Sequence, residues 1–265
     1  MLLLLSPAAK ADNWDTYAQW WNSHYYAFDP KAFTNITCQA DSSLLDDELA
    51  ELLAGHPSVV AAKELYTVSV SNTGDVQVSD PLLQLKPVTA SAEVEVPLIQ
   101  EMLQEKFATL AAGVDLDMKI VVQLYTPPDR KTEVIQEISI GPDATTMTKK
   151  ELDMDSTSKL TFRGADLTGE TTQNVKIGEN TIHAQGSAKA HYDTVDGKYL
   201  MASEVTDSIQ TVGARQIHAI NKTTIDYQLI SGIRFPKTAR WTGQPGSDTQ
   251  GYDNTVEFQD CKVTK

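Results

Sequence analysis

Histidines and carboxylates are the side chains of this 265-residue chain best suited to chemistry. The five histidines are His24, His56, His183, His191 and His218. His183 and His191 fall on one face of a strand pattern, since side chains alternate along a strand. Eight extended residues hold them ~26 Å apart, too far to share a metal ion. Asp193 and Asp196 add oxygens near His191, but His and Asp beside a turn are ordinary surface chemistry, so no metal is expected. Glu133, Glu137 and Glu151 mark a carboxylate-bearing region. A glycosidase needs only two carboxylates at the right separation. Glu151, Asp153 and Asp155 are spaced like calcium-loop oxygens, without the glycine and closing glutamate of an EF-hand. The chain has no G-x-S-x-G nucleophile elbow and no glycine-rich phosphate loop. The expectation is a protein with no cofactor and no catalytic residues, not an enzyme.

Three helices and a long run of strands must position whatever site exists. Trp14, Tyr17, Trp21, Tyr25 and Phe28 recur at three- and four-residue spacing, after a cap at Asp12 or Asn13 and before Pro30. Such a stripe packs on a sheet or closes an apolar cavity. A second helix is predicted over 44–54, with Ser43 as its cap and Gly55 and Pro57 as its stop. A third runs over 97–112, with Pro97 in the first turn and Leu98, Ile99, Met102, Leu103, Phe107 and Leu110 apolar. Between the second and third, 65–70 and 75–78 alternate around Asn72-Thr73-Gly74 as a hairpin.

From Asp117 the pattern is strand after strand. Met118, Ile120, Val122 and Leu124 share one face, and further strands are predicted over 134–140, 159–163, 173–177, 181–192, 199–209, 215–230, 233–242 and 255–263. Turn signals between them imply an antiparallel meander. Within one strand, Ile182, Ala184, Gly186, Ala188 and Ala190 put small residues on one face. That row leaves room for a helix or a ligand to approach the sheet closely.

The net charge of −14 repels phosphates, so nucleic acid is not an expected partner. No apolar run reaches the ~18 residues a membrane helix needs, so an integral membrane protein is not expected. Residues 1–11 resemble the end of a secretory signal, with Leu2–Leu5 as its apolar remnant and Ala9-Lys10-Ala11 as a cleavage site. A single α+β domain over 12–265 is expected after it, in the periplasm or secreted. Cys38 and Cys261 are the only cysteines. In an oxidising compartment such a pair reads as one disulfide, stabilising by ~4–5 kcal/mol through loop closure. Asn35-Ile36-Thr37 and Asn221-Lys222-Thr223 match the glycosylation sequon.

The C-terminal residues carry a resemblance. Asp226–Thr238 reads as two strands joined at Ser231-Gly232 and ending in Phe235-Pro236-Lys237, and Thr255–Val263 forms a last strand. This order, over roughly Tyr199–Val263, resembles the periplasmic lipoprotein-carrier superfamily of LolA-like half-barrels. The resemblance implies a large curved antiparallel sheet with helices on its concave face, and an apolar groove that carries a lipid or an acylated partner. Its expected lining is Met118, Ile120, Val122 and Leu124 from the sheet, with Trp20, Trp21, Met102 and Phe107 from the helices. The alternatives are a non-catalytic envelope-associated structural or interaction module, with a partner surface around Tyr25 and Tyr26, and a hydrolase on a β scaffold.

Overall fold

The computed structural model describes residues 14–29, 31–63, 66–78, 84–106, 135–142, 144–151, 155–177, 180–244 and 251–265. Its contacts gather into two compact units. The first takes 1–26, 127–221 and 243–251, and the second takes 27–126, 222–242 and 252–265.

In the first unit, helix α1 (Trp14–His24) is followed much later in the chain by strands β6 (Ile135–Ile140), β7 (Thr146–Glu151), β8 (Ser156–Arg163), β9 (Asp166–Ile177), β10 (Asn180–Val195) and β11 (Lys198–Val212). Each pairs antiparallel with the next in sequence. Short turns suffice for such a meander. Asp196 and Gly197 join β10 to β11 with φ values of 50° and 78°. Two left-handed residues match the twist of the strands they connect, which is why Asp-Gly stands there. α1 stops at His24, short of the predicted Pro30 boundary, because its exit becomes strand-like: the Tyr26 N–H donates to the Tyr199 carbonyl at 2.8 Å. Tyr17 and Trp20 are its buried residues.

The second unit holds β1 (Asn35–Ser42), α2 (Ser43–Ala54), β2 (Val59–Lys63), β3 (Tyr66–Ser71), β4 (Val76–Val78), β5 (Gln84–Pro87), a helix α3 over 96–106, β13 (Ile233–Gly243, but for its last residue) and β14 (Tyr252–Thr264). Strand β12 (Arg215–Ile230) is divided by the unit boundary after Asn221. β1 lies between β3 and β14, antiparallel to both. Its alternate residues Ile36, Cys38, Ala40 and Ser42 are buried, as period-two patterning requires. β2 and β5 form a separate two-stranded sheet that the sequence pattern did not show. The core of this unit centres on Phe33 and Phe235, with Phe28 and Phe258 stacked or edge-on around Phe235. The hairpin around Gly74 forms as predicted, with Gly74 at φ 87°.

Strand order across the main sheet is β4-β3-β1-β14-β13-β12-β11-β10-β9-β8-β7-β6. The architecture is therefore α+β with a large antiparallel sheet. The half-barrel expectation is overturned: the sheet is open rather than closed or curled. Helix α1 belongs to the first unit and α2 to the second. The physical reason is legible in the side chains. A curled lipid-binding sheet needs a continuous apolar inner face, whereas β9 and β11 place Thr171, Gln173, Thr206, Ser208 and Gln210 beside the small residues of β10.

Candidate functional site

The register around β10 builds a groove. Ala184 stands opposite Gln173 on β9 and Gln210 on β11, Gly186 opposite Thr171 and Ser208, and Ala188 opposite Gly169 and Thr206. Directly opposed residues of an antiparallel pair share a face. Ala184, Gly186 and Ala188 therefore form a low floor, and the longer Thr, Ser and Gln side chains rise beside it. The groove is open to solvent and has a volume of about 230 Å³. Its floor offers methyl and methylene groups, and its walls offer neutral donors and acceptors.

The groove is blocked at one end. Ala190, the next small residue, is buried, as is Tyr192. Here Phe162 stacks on Tyr199 with centroids 4.9 Å apart, and Trp20 and Tyr25 close over Phe162 at 5.6 and 5.9 Å. Trp20 is fixed by its indole N–H, which donates to the Ala144 carbonyl at 3.1 Å. His24 stacks on Trp20 at 4.5 Å, and its Nδ1 lies 2.8 Å from the Trp20 carbonyl and 2.9 Å from Ser23 Oγ. The small-residue row thus has two fates: α1 and its aromatics lie over the Ala190 end, and Ala184–Ala188 floor the groove.

Glu204 faces this blocked end, directly opposite Ala190 and one rung beyond Thr206. Burial raises its carboxyl above the ordinary value of 4.5. The Tyr25 and Tyr192 hydroxyls share a hydrogen bond. Burial raises both phenols, Tyr25 further through Tyr192 and Tyr192 further through the Glu204 charge, so both stay protonated near neutral pH. A folded-state pKa that is raised makes the native state hold its proton more tightly than the unfolded chain does. Glu204 therefore costs nothing below about pH 4.5 and opposes folding increasingly as pH rises through its raised value. Glu204→Gln is expected to be more stable than wild type at neutral pH, with the gap closing toward pH 4. Denaturation at several pH values checks this; a gap that is constant or grows on acidification contradicts it.

Two other arrangements are weaker sites. A depression of about 640 Å³ in the second unit is lined by Ser43, Lys222, Asp226, Arg240, Asp253 and neighbouring threonines. Its charges are already used in part: Arg240 Nε donates to Asp253 at 2.7 Å, and that contact holds the Asp253 carboxyl below its usual range. The histidines of the first unit are also engaged. His191 Nδ1 lies 2.8 Å from Asp166, His218 Nε2 lies 2.7 Å from Asp207, and His183 Nδ1 lies 2.5 Å from Asn174. Among the described residues no three His, Cys, Asp or Glu side chains gather as metal ligands.

Of the eight residues predicted to line an apolar groove, Trp20, Trp21 and Met102 are among the described ones. Trp20 is buried in the aromatic cluster, Trp21 stacks on Tyr25 at 5.4 Å, and Met102 is 45% exposed on α3. Phe107, Met118, Ile120, Val122 and Leu124 lie outside the described residues, as do residues 1–11. Cys38 and Cys261 form the expected disulfide, with sulfurs 2.04 Å apart. The groove walls and Glu204 were missed. The only signal for the walls was the small-residue row, which marks the floor and not its neighbours.

No family model, curated protein or solved structure matches this chain. The lipoprotein-carrier resemblance is withdrawn because the sheet is not the curled one it implies. The lipid-binding function falls with it, because no curved apolar groove exists among the described residues. The interaction module built on Tyr25 and Tyr26 falls too: Tyr25 packs against Trp20, Phe162 and Tyr192, and Tyr26 is half-buried. The hydrolase reading lacks a catalytic cluster among the described residues. No helix among them is long and apolar enough to cross a membrane.

Proposed function

We infer that this chain binds a neutral, polyhydroxylated ligand, such as a short stretch of glycan, along the groove over β10, without acting on it chemically. The observation that carries the reading is the pairing of a methyl floor with hydroxyl and amide walls: Ala184, Gly186 and Ala188 beneath Thr171, Gln173, Thr206, Ser208 and Gln210. A sugar ring presents C–H faces and hydroxyl edges, which match that floor and those walls. An anion is disfavoured by the chain's charge of −14 and by Glu204 at the blocked end. Hydrogen bonds contribute only about 0.5–1.5 kcal/mol each in water, so the expected dissociation constant lies between about 1 mM and 1 µM. The Cys38–Cys261 disulfide supports a working place in an oxidising compartment, the periplasm or the extracellular space.

Gly186→Val tests the groove directly. A Cβ at Gly186 would meet the Asp207 carbonyl at 3.4 Å and Ser208 Cβ at 3.6 Å, which is ordinary contact. A β-branched residue suits a strand. The variant is expected to fold with wild-type stability and to lose glycan binding by tenfold or more, a change of about 1.4 kcal/mol. On an array of neutral oligosaccharides, wild type should retain a subset and Gly186→Val should retain none. Equal retention by both proteins, or none by wild type, contradicts the reading.

A further inference from the structure

We propose that the Cys38–Cys261 bridge is a thiol–disulfide exchange site, with Cys261 Sγ the sulfur that a low-molecular-weight thiol attacks. The two sulfurs sit in different surroundings. Cys38 is 1% exposed, on the buried side of β1, whereas Cys261 is half-exposed. The ladder is interrupted at this point: Thr37 pairs with Lys262 and Gln39 with Gln259, so that Cys38 faces both Asp260 and Cys261. Such a bulge bends the strand and leaves a residue outside the regular pairing. Asp260 takes a left-handed φ of 47° there. A depression of about 540 Å³ is lined by both cysteines with Thr37, Gln39, Thr67, Asp260 and Lys262. It is large enough for a small thiol to reach Cys261, and the opposite charges of Asp260 and Lys262 beside it leave the approach locally balanced.

Exchange proceeds in two balanced steps. An external thiolate forms a new S–S bond to Cys261, the bond to Cys38 breaks, and its electron pair leaves on Cys38 Sγ, which takes up a proton from water. A second thiolate then attacks the external sulfur of that mixed disulfide and expels the Cys261 thiolate, releasing the oxidised small thiol. Gln228 Nε2 lies 3.7 Å from Cys261 Sγ while donating to the Pro236 and Phe258 carbonyls at 3.1 and 3.2 Å. Cys38, held within β1, stays within reach of Cys261, so the first step reverses readily and the mixed disulfide is transient. Access and leaving group decide the direction of attack, and the greater exposure of Cys261 favours attack there.

Acid-quenched peptide mapping of the whole native chain after exposure to reduced glutathione tests this. The adduct is expected on Cys261 and not on Cys38, at a rate independent of global unfolding. An adduct on Cys38, or opening of the bridge only as fast as the protein unfolds, overturns the proposal. Single variants give a second readout. The free Cys261 thiol of Cys38→Ser should alkylate with iodoacetamide about tenfold or more faster than the free Cys38 thiol of Cys261→Ser, because exposure controls thiol reactivity. Equal rates in folded variants overturn it as well.

Discussion

Replacing both cysteines, as Cys38→Ala with Cys261→Ala, is expected to lower stability by about 5 kcal/mol. The bridge spans 223 residues of sequence, so in the unfolded chain it removes more conformational freedom than a short loop would. Within the native sheet β1 and β14 are already paired along most of their length, so the ladder itself should survive the loss. The double variant should keep its far-ultraviolet circular dichroism and shift its urea midpoint sharply downward. Its m-value is expected to rise as well, because the unfolded chain without the cross-link is more open and exposes more surface, a change that reports on the unfolded state rather than on native contacts. A loss below about 1 kcal/mol would mean that native strain or residual unfolded structure offsets the loop term.

Phe162→Ala should be comparably damaging for a different reason. Phe162 is buried at the hub of the cluster and touches Trp20, His24, Tyr25, Tyr192 and Tyr199. Truncating a buried phenylalanine to alanine costs about 3–5 kcal/mol, through lost transfer energy and the cavity left behind. The same change should unfasten α1, which meets the sheet through Trp20 and, just past its end, through Tyr25. Trp20 fluorescence is expected to shift to the red and hydrogen exchange in α1 to accelerate, while Phe33 and Phe235, in the core of the other unit, keep their environment. Retention of native fluorescence with a loss under about 1 kcal/mol would show that the cluster rearranges to fill the space.

Local patterns were legible where the chain's own neighbours decide the outcome. The alternation of β10–β13, the hairpin at Gly74 and the Asp196-Gly197 turn all follow from period-two patterning and turn chemistry. Boundaries set by distant residues were not legible: α1 ends at His24 because Tyr26 bonds to Tyr199, far along the sequence. The half-barrel failed because patterning along one strand says which residues share a face, and not whether neighbouring strands complete an apolar surface. The small row on β10 was visible, but Thr171, Gln173, Thr206 and Ser208 became its walls only through the register of β9 and β11. Glu204 carried no signal at all. Its character comes from standing opposite Ala190, beside rings delivered by α1 and β8.

The most direct measurement of the groove as a ligand site is nuclear magnetic resonance of the native chain, with alanine and threonine methyls labelled, titrated with neutral oligosaccharides. The expected result is saturable shifts of the Ala184, Ala188, Thr171 and Thr206 methyls, absent in Gly186→Val, with Ala40 and Ala239, buried in the other unit, unchanged. Saturable binding that leaves those four methyls still, or no binding by any neutral oligosaccharide, would contradict the account.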